Sequence, residues 1–185
     1  MHDALDAAAA HGIPVSLDLN YRPALWGARD PRPIMQPLAA RASLLIANPG
    51  AISAMLGLTT PGTAPEEPAA LQLTADALQR DYGCARVAIT QREVLSASAH
   101  GWQAHLFDAA TSTMHYGGRY QVQLVDRVGG GDAFVAGLLH QLLADAPLDY
   151  AVRFATAAGA LKLTIPGDIN RVRVADVEQT LASAT

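Results

Sequence analysis

Hydrophobic and polar positions recur with two different periods along this chain, and each change of period marks an element. Met1 to His11 reads as the end of a helix, with Leu5 and the alanine run expected to pack inward and Gly12 standing where a helix stops. Ile13, Val15, Leu17 and Leu19 then alternate with Pro14, Ser16, Asp18 and Asn20, the period of two that a half-buried strand needs, and a polar loop follows through Pro31. Ile34 to Arg41 predicts a short helix. The unbroken apolar run Leu44-Leu45-Ile46-Ala47 predicts a strand covered on both faces, for which a parallel sheet is the natural host. Pro49-Gly50 punctuates the chain, Ile52 to Leu58 fits another short helix, and Thr59 to Pro68 reads as a solvent-exposed loop of Pro, Thr and Glu.

Ala69 to Tyr82 carries Leu71, Leu78 and Tyr82 near helical spacing, and Val87 to Thr90 begins the next strand. Val94 to Ser98 and Trp102 to Leu106 read as a hairpin turning at His100-Gly101, so antiparallel pairing is expected there. Tyr120, Val122 and Leu124 form one more alternating strand. Helices are predicted from Asp132 to Leu143, Leu148 to Leu163 and Val174 to Ala182. Strands alternating with helices in the first half make the chain an α/β sandwich with a mostly parallel sheet, in one domain over residues 1–185. It opens in mid-helix, so its first strand is expected at a bare sheet edge or paired with an absent segment, as in the latter part of a larger fold. An open edge of that kind predicts a homo-oligomer.

Composition narrows the function. The 13 basic and 17 acidic side chains leave a net charge of −4 with no basic stripe, which argues against nucleic acid as a partner. No run of 18 apolar residues is present, and Asp3 and Asp6 stand where a signal peptide needs positive charge, so a membrane role is not expected and the chain is expected to be cytoplasmic. Cys84 is the lone cysteine, far from any CxxC motif, and is expected in the core. Lys162 is the single lysine and lies outside any GxxxxGK[ST] context, which excludes a Walker-type nucleotide site. The six histidines lack metal-ligand spacing, Trp26 and Trp102 are expected to pack, and Glu66-Glu67 to be solvated.

Chemistry concentrates in Asp126-Arg127-Val128-Gly129-Gly130-Gly131-Asp132-Ala133-Phe134-Val135-Ala136-Gly137. Three glycines let the backbone approach a ligand, and the helix that follows presents free N–H groups and the positive end of its dipole, an anion site. Asp132 has two readings, a helix cap or a base held beside the anion. A developing metaphosphate needs main-chain donors at its oxygens and a carboxylate near the attacking hydroxyl, which a simple cap does not. A second group lies at the end of the first strand. Asp18, Asn20 and Arg22 are two apart, so an extended backbone would point them to one side, where open α/β sheets bind ligands; the alternative is an Asx turn with a surface arginine. The guanidinium fork of Arg22 suits a carboxylate.

The glycine stretch resembles the C-terminal signature of the ribokinase-like carbohydrate kinases, and its Asp-Arg-Val-Gly-Gly-Gly-Asp-Ala-Phe form is similar to the 2-keto-3-deoxygluconate kinases of that family. Ser16 to Pro23, Ala88 to Glu93 and Leu161 to Asn170 continue the likeness. The resemblance implies a ribokinase-like three-layer sandwich and ATP-dependent phosphorylation of a sugar acid at its primary hydroxyl. It implies Asp132 as the base, Gly129, Gly130 and Gly131 as the anion hole, Asn48, Thr90 and Arg92 on the nucleotide side, and Asp18, Asn20 and Arg22 at the sugar. ATP with Mg2+ is the implied cofactor pair, with K+ beside Asp126 or a structural role for that residue.

Two departures stand out. The family's Asn-x-x-Glu reads Asn48-Pro49-Gly50-Ala51 here, without the carboxylate that helps position Mg2+ and phosphate. The family's N-terminal region, with its lid, precedes the part matched, so little kinase activity is expected of these 185 residues alone. A truncated, non-catalytic nucleotide-binding module and a fructokinase or ribokinase for neutral sugars are the alternatives.

Overall fold

The computed structural model describes residues 1–59 and 67–183. Eight helices and five strands are found among them: α1 (His2–Ala10), β1 (Ser16–Asp18), α2 (Pro23–Trp26), α3 (Arg32–Ala39), β2 (Leu44–Ala47), α4 (Pro49–Leu56), α5 (Pro68–Tyr82), β3 (Arg86–Val94), β4 (Ala99–Asp108), β5 (Thr113–Gln123), α6 (Gly130–Leu143), α7 (Leu148–Lys162) and α8 (Val174–Ser183). The strands form one mixed sheet in the order β1-β2-β3-β4-β5. β1 and β2 pair in parallel, as do β2 and β3. β4 runs back along β3, its register set by Leu95 N–H donating to Ala99 C=O at one end and Ala109 N–H to Ala85 C=O at the other.

The chain divides into two compact units, residues 1–89 with 107–114, and residues 90–106 with 115–185. In the first, every residue of β2 is buried, as its unbroken apolar run requires. Leu45, Ile52, Leu78, Val87 and Ile89 are fully enclosed, each stabilising by about 1.5–3 kcal/mol relative to exposure. The carbonyl of Leu56, left free at the end of α4, accepts from Gln36 Nε2 at 3.0 Å and Tyr82 Oη at 3.3 Å. In the second unit α6 packs on α7 and α7 on α8. Trp102 lies in that core, its indole N–H donating to Thr156 C=O at 3.0 Å and its ring edge-on to Phe134.

Several sequence expectations are corrected. The alanine run of α1 faces outward, and only Leu5 of that helix packs against the core. β1 covers just Ser16–Asp18, because Ile13 N–H is still tied to Ala8 C=O at the end of α1 and Pro14 has no donor; Ile13 is 58% exposed. The loop running to Pro31 contains α2. The hairpin turns at Leu95 to Ser98, where Ser96 Oγ accepts the Ala99 and Ser98 N–H groups, so His100 and Gly101 lie within β4. β5 begins at Thr113, well before Tyr120. Residues 60–66 of the expected Pro/Thr/Glu loop, Glu66 included, lie outside the described residues, and Glu67 is exposed.

Candidate active site

Gly129 sits at φ +81° as the residue that caps the start of α6, a left-handed conformation that costs glycine nothing. Asp132 is therefore not the cap: it is the third residue of the helix, exposed, and without a hydrogen-bond or ion-pair partner among the described residues. The first main-chain bond of the turn runs from Ala133 N–H to Gly129 C=O at 2.8 Å, so the N–H groups of Gly130, Gly131 and Asp132 have no carbonyl within the helix to bond. The three glycines differ in purpose. A Cβ on Gly130 would lie 2.7 Å from Leu163 Cδ2, so packing excludes it, whereas a Cβ on Gly131 would meet nothing within 4 Å. Gly131 faces open space beside the free donors and the positive end of the helix dipole, which is where an anion fits.

The loop leading into α6 is held from below. Asp126 Oδ1 accepts Val128 N–H at 3.0 Å and Oδ2 accepts Gly167 N–H at 2.9 Å. These two donors, Val128 first, keep its carboxyl below the usual carboxylate range, and the charge of Lys162 adds to them. Lys162, at the end of α7, is wholly buried and donates to the carbonyls of Val128, Ile165 and Gly167. Arg92, largely exposed on β3, has its pKa lowered by partial desolvation and then by the neighbouring positive charge of Arg127. Two guanidiniums, one from β3 and one from the glycine loop, thus share an electrostatic neighbourhood. Thr90 is half-buried, also on β3.

The first unit carries the other candidates. Asp18 closes β1 and its Oδ1 accepts Asn20 N–H at 3.0 Å, while Asn20 adopts φ +39°. The chain therefore bends after Asp18 in an Asx turn, and the extended spacing expected to align Asp18, Asn20 and Arg22 does not continue to Arg22. Arg22 is exposed at the start of α2, with Nη1 donating to Tyr21 C=O at 3.3 Å. Asn48 caps α4, Oδ1 accepting Ala51 N–H at 2.9 Å. Ala51 is 1% exposed, so the position where the resemblance places a carboxylate belongs to the core.

Comparison with known proteins gives this arrangement a family. The family model for pfkB carbohydrate kinases matches residues 1–174, nearly the whole chain. The chain belongs to the pfkB carbohydrate kinase family. Among the relatives of this family member is a 2-dehydro-3-deoxygalactonokinase of Haloferax volcanii, 31% identical over 97% of the chain and 50% of that protein. The crystal structure of a 2-dehydro-3-deoxygluconokinase from Thermotoga maritima superimposes with a TM-score of 0.89 at 35% identity, covering 98% of the chain and 54% of the other. That of a pfkB family carbohydrate kinase from Listeria grayi gives 0.82 at 31%, covering 97% and 53%. The chain spans about half the length of the relatives it matches. Two residues of this pfkB chain escaped the sequence reading. Arg127 lies inside the glycine signature itself and could have been flagged as a cation beside an anion site, whereas Lys162 draws two partners from the next five residues and the third, Val128, from 34 residues upstream, a pairing that left no local signal.

Proposed function

We propose that this chain forms the nucleotide and phosphate portion of an ATP-dependent kinase for a 2-keto-3-deoxy sugar acid, with 2-keto-3-deoxygluconate as the acceptor. The observation that carries the proposal is the start of α6, where an exposed, unpartnered carboxylate at Asp132 follows three main-chain N–H groups and the open space at Gly131. The relatives named for 2-dehydro-3-deoxy sugar acids support the substrate class.

In the reaction Asp132 accepts the proton of the sugar's primary hydroxyl as that oxygen bonds to the γ-phosphorus. The bond from phosphorus to the β,γ-bridging oxygen breaks and ADP leaves. The N–H groups of Gly130, Gly131 and Asp132 take up charge on the equatorial oxygens, and Arg92 and Arg127 provide positive field nearby. Arg22, exposed at the start of α2, offers its fork to the acceptor's carboxylate, and Asp18 and Asn20 serve the sugar from the turn that ends β1. Mg2+ enters as part of the nucleotide substrate. Bound with the nucleotide, it would neutralise charge on the phosphates. Self-association along the outer edge of β1 belongs to the same proposal.

Assays of the 185-residue chain with ATP, Mg2+ and 2-keto-3-deoxygluconate test it. Asp132→Asn should lower turnover by roughly 10²–10⁴-fold while leaving ATP affinity within a few-fold. Arg22→Ala should impair acidic sugars and spare neutral ones. Turnover unchanged by Asp132→Asn removes the base from the proposal. A chain that binds ATP yet phosphorylates no sugar is a nucleotide-binding module, the second reading, which the missing carboxylate at Ala51 favours.

A further inference from the structure

Beneath the glycine loop a single ammonium group is enclosed by oxygens. Lys162 is 0% exposed, and its Nζ donates to the carbonyls of Gly167 at 2.7 Å, Val128 at 2.9 Å and Ile165 at 3.4 Å. An ammonium has three N–H donors and no acceptor, so three carbonyls from two separate loops match it one for one. Asp126 borders the same cage, its carboxylate bonded to the N–H groups of Val128 and Gly167 and drawn by the charge of Lys162. The lysine stem runs directly under the residue that starts α6: a Cβ on Gly129 would lie 3.1 Å from Lys162 Cε and 3.2 Å from Asp168 O. Convergent main-chain carbonyls around a desolvated positive charge are also how proteins hold an alkali ion.

We propose that Lys162 is a built-in substitute for a monovalent cation, its ammonium holding the loop at residues 126–129 to the loop at residues 163–168 and so positioning Gly129 to Asp132. K+ beside Asp126, which the family resemblance implied, does not fit. The carbonyl oxygens already accept N–H bonds, and a second cation among them would meet a like charge with no room to solvate it. The substitution costs little because one side chain supplies the charge, the three donors and a covalent tether to α7. It makes Lys162 a positioning residue, and it is independent of which sugar is phosphorylated and of whether the chain turns over.

Thermal unfolding of the full chain in KCl, NaCl and N-methyl-D-glucamine chloride at equal ionic strength tests it. The unaltered protein should melt at the same temperature in all three. Lys162→Ala should melt at least about 5 °C lower in N-methyl-D-glucamine chloride, and KCl or ammonium chloride should return part of that loss by placing a free cation in the vacated cage. Lys162→Met, which keeps the bulk of the stem, should be destabilised without recovery. A K+-specific rise in the melting temperature of the unaltered protein overturns the proposal, and so does a Lys162→Ala loss that no cation repairs. Should Lys162→Ala fail to fold, the salt comparison on the unaltered protein decides alone.

Discussion

Replacing Gly131 with alanine should make the protein more stable and a poorer binder of ATP. The backbone there is helical and the new Cβ would meet nothing within 4 Å, so the substitution removes flexibility from the unfolded chain without a clash. The gain is at most about 1 kcal/mol, or ~2–4 °C in melting temperature for a chain of this size. The same methyl group occupies the space beside the free N–H groups of Gly130, Gly131 and Asp132. Displacing a phosphate from those donors should raise the Kd for ATP by about 10-fold or more, a difference of ~1.4 kcal/mol per decade. Gly130→Ala is the control, because its Cβ would lie 2.7 Å from Leu163 Cδ2 and 3.2 Å from Cγ. Overpacking of that kind costs about 1–3 kcal/mol and should lower the melting temperature. Scanning calorimetry and titration calorimetry with ATP and Mg2+ measure both quantities on each variant. ATP affinity left intact in a stabilised Gly131→Ala protein would refute the anion site, because it would mean that the open space at Gly131 faces nothing the nucleotide uses.

Further outcomes are expected elsewhere. His105 is buried with Nδ1 unpartnered, its ring 4.9 Å from that of Tyr116, and burial depresses its pKa from 6.5 to about 4. Between those values the unfolded chain binds a proton that the native state refuses, so stability present above pH ~6.5 should fall by up to about 3 kcal/mol as pH drops through the window to about 4. Denaturant melts of the unaltered protein and of His105→Phe across that range should diverge, and parallel pH profiles would exclude His105 as the cause. Cys84 is fully buried and its thiol is pushed up to about 11, so Ellman's reagent should label it only after unfolding; prompt native-state reaction would contradict its enclosure. Size-exclusion chromatography should show self-association through the edge strand β1, and a monomer at all concentrations would remove that part of the proposal.

Much of the molecule could be read from local pattern. The run Leu44 to Ala47 specified a strand buried on both faces because no polar side chain in it could tolerate solvent on one side only. The short helix expected over Ile52 to Leu58 is α4, but it starts at Pro49, whose missing donor suits a first turn, and stops at the left-handed Gly57, while Gly83 ends α5. The glycine signature and the aspartate after it were visible for the same reason: free N–H groups and positive φ are properties of a few consecutive residues. The turn residues of the hairpin were misplaced because His100-Gly101 looks like a turn in isolation, while pairing along the whole of β3 and β4 sets the register.

What sequence alone determined was the α/β alternation, the family signature and a glycine-rich helix start with an acidic residue in its first turn. Tertiary structure decided which glycine is needed for conformation, which for packing and which faces open space, since the atoms that would clash belong to Leu163, Lys162 and Asp168. It also decided that the one lysine is enclosed by main-chain carbonyls of two loops. Those outcomes depend on groups brought together by folding over tens of residues, and hydrogen bonds and charges act through the distance in space, which no spacing along the chain records.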